Sequence, residues 1–185
     1  MTTLQCLHSL AEVPATAWDA LVPADQPFLR YAFLHALEIT GCVGPGTGWQ
    51  PAHALLTHSD GHLLVAMPGW QKQHSRGEYV FDQGWAEAAQ RAGLPYYPKW
   101  LSAVPFSPVT GPRLLGTAHA AAELLAQLPT HEAWAGYSGL HVNFTDATND
   151  ALFAEDARWL HRRDCQYRWQ NRSYTDFEQY LAQLT

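Results

Sequence analysis

Ser59-Asp60-Gly61 stands between two apolar arms, and this constrains the fold of the 185-residue chain more than any other short stretch. Asp-Gly between β-patterned runs is a strong signal for a tight hairpin, because Gly and Asp tolerate the left-handed backbone such turns need. The arms Gln50–Thr57 and His62–Gln71 therefore predict an antiparallel ribbon. The second arm carries Leu64, Val65 and Ala66 in succession, which predicts burial on both faces rather than one.

Around the ribbon, strand and helix patterns are mixed. Residues 3–9, Lys99–Val104 and Ser138–Phe144 read as strands, and Glu78–Phe81 as a short strand or extended segment. Ala15–Leu21, Phe28–Thr40, a helix from Asp82 to Gln90 stopped by Gly93, and Ala-rich Thr117–Leu128 read as helices. Asn149–His161 reads as a further helix, with Arg158, His161, Arg162 and Arg163 at its C-terminal end. Cys165–Arg172 alternates as a half-buried strand does, and Thr175 with Glu178 predicts a capped last helix to Leu184. The prediction is a mixed α/β (α+β) fold over residues 1–185 as one domain, a twisted mixed sheet flanked by helices.

Composition narrows the function classes. Net charge is −6 with no basic stripe, so duplex nucleic acid binding is not expected. The three cysteines, Cys6, Cys42 and Cys165, lie far apart and read as reduced thiols of a cytoplasmic protein. The N-terminus shows neither a signal peptide nor a membrane span.

Familiar catalytic signatures fail on detail. Gly41–Gly48 is Gly-rich but lacks the Gly-Lys-Ser/Thr of a phosphate loop, and Pro45 removes one amide donor. His131-Glu132 has no second His at zinc-protease spacing, and His58 and His62 merely flank the turn, so no metal site is expected. Gly136-Tyr137-Ser138-Gly139 lacks the order of a serine nucleophile elbow, and Cys42 and Cys165 have no His at a signature spacing.

The tract from Gly77 to Arg113 is different. It sets Tyr79, Phe81, Trp85, Tyr96, Tyr97, Trp100 and Phe106 among Glu78, Asp82, Lys99 and Arg113. Ligand grooves are mostly apolar walls with a few placed polar groups, and this tract has that make-up. Asp82 fits either a helix cap or a base aimed at an amine. Lys99 and Arg113 fit either surface ion pairs or contacts to a carboxylate or phosphate. The Tyr79, Tyr96 and Tyr97 rings fit either core packing or ligand shelves. His141 sits inside the apolar run Leu140–Phe144, as a satisfied core residue or an alternate base.

Several segments resemble one bacterial family: Gly44–Pro51, Gly77–Asp82, Ala92-Gly93 with Tyr96–Lys99, Leu140–Val142, Tyr167–Asn171 with Phe177, and most specifically Ala103–Arg113, AVPFSPVTGPR. The family is DUF482, the peptidoglycan biosynthesis/recognition proteins grouped with GNAT-type N-acyltransferases near the FemAB aminoacyl transferases. The resemblance implies a GNAT-like fold and transfer of an acyl or aminoacyl group to a small-molecule or peptide amine acceptor, for FemAB relatives a cell-wall precursor peptide. It implies acyl-CoA or aminoacyl-tRNA as donor substrate and no tightly bound cofactor.

Under that reading Tyr79, Tyr97, Lys99, Thr110 and Arg113 line an acceptor groove, with Asp82 or His141 as base. Family members are longer and look like two GNAT-like halves. This chain resembles the N-terminal half, and an Arg/Gln-x-x-Gly-x-Gly/Ala acyl-CoA loop is missing from it. The alternative is a non-catalytic binding module that recognises a peptide or docks a second GNAT-like half.

Overall fold

The computed structural model describes residues 1–167 and 169–184. The chain runs β1 (Thr2–Leu7), α1 (Ala15–Asp19), α2 (Tyr31–Ile39), β2 (Trp49–Pro51), β3 (His53–His58), β4 (Leu63–Met67), β5 (Trp70–Lys72), α3 (Gln83–Arg91), β6 (Lys99–Ser102), β7 (Leu115–Gly116), α4 (Ala118–Gln127), β8 (Leu140–Val142), α5 (Ala147–Ala154) and α6 (Phe177–Leu181). This is the expected mixed α/β fold. Its strands divide into two four-stranded sheets, ordered β1-β3-β4-β7 and β2-β5-β6-β8. The first is antiparallel throughout, and the second ends in a parallel β6–β8 pair.

The predicted hairpin generates both sheets. Each arm is one strand in the sequence reading but two in the structure. Near the Asp60-Gly61 turn the arms are β3 and β4 of the first sheet. Beyond a bend they become β2 and β5 of the second. Pro51 and Pro68, which cannot donate to a ladder, flank the bend. There the Ala52 amide donates to the Gly69 carbonyl (2.8 Å), the Trp100 indole to the Ala52 carbonyl (2.7 Å), and the Gly69 amide to His53 Nδ1 (3.1 Å).

A Cβ on Gly69 would collide with the Trp100 ring and the Ala52 carbonyl oxygen. Gly69→Ala should therefore cost about 2–3 kcal/mol through overpacking at the bend. An unchanged urea midpoint would contradict this.

The first sheet is covered on both faces, as the Leu64–Val65–Ala66 run predicts. Leu55 and Ala66 face one cluster with Trp18, Leu29 and Leu34 from the α1–α2 side. Ala54, Leu56, Val65 and Met67 face a second cluster with Leu124, Leu128 and Trp134 from the α4 side. Four tryptophans, Trp18, Trp49, Trp70 and Trp100, are fully buried, and each indole N–H donates to a main-chain carbonyl: Leu29, Arg76, Ala103 and Ala52. Buried rings with a polar tip usually find such a partner, although among the described residues the Trp134 indole in the second cluster does not.

Several expectations are corrected. Glu78–Phe81 is irregular rather than a strand, and Tyr79 there has φ of 57°. The fifth helix is shorter than the Asn149–His161 reading: Asp146 caps it through the Asn149 amide (2.8 Å), and it ends at Ala154. The Arg158–Arg163 cluster therefore follows the helix instead of ending it. The described residues of Cys165–Arg172 form no strand, and Arg168 lies outside the described residues. Alternation alone does not make a strand where no neighbouring edge pairs with it. The last helix is capped by Asp176 rather than Thr175, with the Gln179 amide as donor (2.8 Å). Among the described residues no helix is long and apolar enough to cross a membrane.

Candidate functional site

The second sheet places two lysines opposite each other: Lys72, last in β5, is the cross-strand partner of Lys99, first in β6. Both are fully buried. Like charges in directly opposed positions repel, and a buried unpaired charge is costlier still. The loop between β5 and α3 supplies the compensation. Its Glu78 places Oε2 2.8 Å from Lys99 Nζ and Oε1 3.8 Å from Lys72 Nζ. Asp82 places Oδ2 2.5 Å from Lys99 Nζ.

Lys99 Nζ also donates to Ser75 Oγ at 2.8 Å, so its three N–H groups have three acceptors. Lys72 Nζ donates to the Arg76 carbonyl at 3.3 Å and lies 3.4 Å from the centre of a Trp49 ring, a cation–π contact. Two rings close the cluster: the Tyr96 hydroxyl donates to Asp82 Oδ2 (2.8 Å), and the Tyr97 hydroxyl pairs with Ser75 Oγ (2.7 Å).

Burial and pairing pull these groups in opposite directions. Burial brings Lys72 down to about 7 despite the attraction of Glu78, and pushes Glu78 up despite Lys99. Burial also works to raise Asp82, but hydrogen bonds led by that from Lys99 outweigh it and hold Asp82 below the usual carboxylate range. Burial and the bond to Asp82 push Tyr96 up, so it stays a phenol.

Beside this cluster runs a cleft of about 1340 Å³. One wall is the Glu78–Asp82 loop with Trp85 of α3. Another is β8 and the residues after it, including His141 and Asn143. The third is the segment from Phe153 to Gln166. That segment is tied to the loops opposite by Arg162, which donates to the Phe81 carbonyl (3.3 Å), and by Gln166, which donates to the Pro108 carbonyl (2.8 Å). His141 lies edge-on to Tyr96, ring centres 5.9 Å apart. Burial, reinforced by the charge of Lys99, brings its imidazole down to about 4, so it is neutral at physiological pH.

Five of the seven sequence-predicted site residues meet here: Tyr79, Asp82, Lys99, Thr110 and His141 all line the cleft. Tyr79 is 55% exposed, a ring available to a ligand. Tyr97 does not line the cleft: its hydroxyl meets Ser75 Oγ, and its ring centre lies 5.7 Å from Lys99 Nζ. Asp82 occupies the N-cap position of α3, but its side chain makes no cap bond and serves Lys99 and Tyr96 instead.

Arg113 is a correction. It is fully buried, and its Nε, Nη1 and Nη2 donate to the carbonyls of Asn143 (2.9 Å), Pro112 (3.0 Å) and Val109 (2.6 Å). It braces the Pro-rich loop and presents no N–H fork to the cleft. Sequence reasoning missed Lys72 and Ser75, and counted Glu78 only as one charge of the tract. Among the described residues no group of three or more His, Cys, Asp or Glu is placed to hold a metal ion.

The profile of a family described as FemAB-like, peptidoglycan biosynthesis/recognition, matches residues 9–185. The chain belongs to the FemAB-like family. No curated protein and no solved structure matches it. Membership ties this FemAB-like chain to peptidoglycan biosynthesis or recognition. The Ala103–Arg113 segment that carries the resemblance has two occupations here: Pro108 and Thr110 reach the cleft, and Arg113 holds their loop in place.

Proposed function

We propose that this FemAB-like chain is the N-terminal, acceptor-binding half of a GNAT-like N-acyltransferase. In this reading the cleft seats a peptidoglycan precursor peptide, and an amine of that peptide attacks an acyl or aminoacyl group delivered as a CoA thioester or a tRNA ester. A second GNAT-like half completes the site. The observation that carries the reading is His141, an uncharged imidazole on the cleft wall beside a buried lysine–carboxylate cluster.

The chemistry divides among named groups. The amine nitrogen forms a bond to the acyl carbon, and the C–S or C–O bond to the carrier breaks. The proton lost by the amine goes to His141 and from there to the departing thiolate or alkoxide. Asp82 is the poorer base, because Lys99 and Tyr96 already occupy its Oδ2. Its work is to hold Lys99, while Tyr79 and Thr110 contact the acceptor.

The test follows acylation of an amine-bearing muropeptide by mass spectrometry, with acyl-CoA or aminoacyl-tRNA as donor. His141→Gln should lower the rate by about 100-fold or more and leave muropeptide affinity unchanged. Protonation of His141 removes the base, so the inflection it causes should lie near pH 4, where its imidazole titrates, rather than in the usual histidine range. Muropeptide binding with no transfer in any donor condition would instead make the chain a recognition module.

A further inference from the structure

The signature segment Ala103–Arg113 does more than border the cleft. Its inward side is committed to the fold. The Pro112 and Val109 carbonyls accept from Arg113, the Gly111 amide donates to the Phe144 carbonyl (3.0 Å), and the Val109 side chain packs against the first core cluster. Its outward side is open to solvent: Pro108 and Thr110 are exposed and Ser107 is half-buried.

That outward side forms the floor of a second concavity, of about 530 Å³. Two exposed rings complete it, Phe28 and Tyr167. Phe28 stands on the tight turn Pro27–Leu29, anchored by buried Leu29 and by an edge-on contact to Phe33 with ring centres 5.2 Å apart. Gln166 links ring and floor, its side-chain amide donating to the Pro108 carbonyl (2.8 Å).

The lining combines ring faces with neutral hydrogen-bonding groups, the hydroxyls of Ser107, Thr110 and Tyr167 and the amide of Gln166. Sites for carboxylate or phosphate recruit Arg or Lys, and no described residue lining this pocket is charged. A purely apolar ligand would gain nothing from the hydroxyls. A sugar ring uses both kinds of group, because it has an apolar C–H face and a rim of hydroxyls. The first packs on an aromatic face, and the second bonds to neutral donors and acceptors.

Position adds a separate argument. The pocket and the cleft share Pro108, Thr110 and Gln166, so they adjoin. In peptidoglycan the peptide is joined directly to an amino sugar. A precursor with its peptide in the cleft therefore carries a sugar ring to this spot.

We infer that the second pocket is a saccharide subsite for an amino sugar of a peptidoglycan precursor, with Phe28 and Tyr167 against the ring and Ser107 and Thr110 bonding its hydroxyls. The inference deepens the acceptor reading above and rests on it for the adjoining peptide. It brings Phe28, Ser107 and Tyr167 into the site.

The test needs no turnover. The probe is chitobiose, a disaccharide of N-acetylglucosamine that carries no charge and no peptide, titrated into the full chain and followed by NMR. Saturable binding is expected, with the side-chain resonances of Phe28 and Tyr167 shifting. Tyr167→Ala, at an exposed position where the fold does not depend on the ring, should weaken binding about five-fold, as loss of one ring contact does. Ser107→Ala should weaken it about three-fold through one lost hydrogen bond.

No saturable binding, or binding that neither substitution weakens, overturns the inference. Uridine bound here in place of chitobiose also overturns it, by assigning the rings to a nucleobase. A chain that ignores chitobiose and acylates a muropeptide no better than the sugar-free peptide would retain the transferase and discard the subsite. Chitobiose binding lost in Tyr167→Ala, with no acylation in any donor condition, would do the reverse.

Discussion

Lys99→Met is expected to destabilise the fold by about 3–5 kcal/mol, as removal of one partner from a buried ion pair does. The size follows from what remains. Glu78 and Asp82 are both buried and both depend on Lys99 Nζ, at 2.8 and 2.5 Å, so its loss strands two carboxylates. Lys72, 3.8 Å from Glu78, offers only partial compensation and no second contact to Asp82.

The loop should detach and carry Tyr79 and Phe81 off the cleft wall, since Glu78 and Asp82 are its two ionic anchors. Urea unfolding measures the loss. Adding Asp82→Asn to Lys99→Met removes one stranded charge and should recover part of the stability. A double variant no more stable than the single one would show that the lysine acts through packing of its stem instead.

Arg113→Ala should cost a comparable amount, about 3–4 kcal/mol, by leaving one buried and two partly buried carbonyls without this donor and a cavity where the guanidinium sat. For a chain of this length that corresponds to a fall in Tm of roughly 6–12 °C. Below the transition, affinity for a cleft ligand should be nearly unchanged, because Arg113 does not line the cleft. Arg113→Lys should recover little. Lysine offers a point charge where Asn143, Pro112 and Val109 each need a donor in a separate direction. A variant of full stability that no longer binds peptide would put the guanidinium back in the site.

What the sequence reveals of this fold depends on how local the signal is. The Asp60-Gly61 turn, the α3 and α4 boundaries and the Gly93 stop are local events set by one or two residues, and they are legible. The bend of the ribbon is half legible. Pro51 and Pro68 mark it, but only the close approach of Trp100 and Gly69 shows that the arms cross into a second sheet.

The lysine cluster is not legible, because it depends on the register between β5 and β6. Reading the second arm as ending at Gln71 stops one residue short of Lys72, which hides the opposed pair and hence the need for Glu78. Arg113 fails for a related reason. A charge in a polar-aromatic tract looks the same whether it faces a ligand or a set of carbonyls, and only the path of the chain decides.

The bent ribbon has a consequence for how the molecule comes to be folded. β2 to β5 are contiguous in sequence, so their pairing is local and closes quickly around the Asp60-Gly61 turn. Once it has closed, two neighbouring strands of each sheet exist together; β1 and β7 then add on either side of the first pair, and β6 followed by β8 adds beyond β5. Neither sheet is then a separate folding unit. The lysine-bearing end should gain protection against amide exchange together with the turn-proximal end, in one kinetic phase.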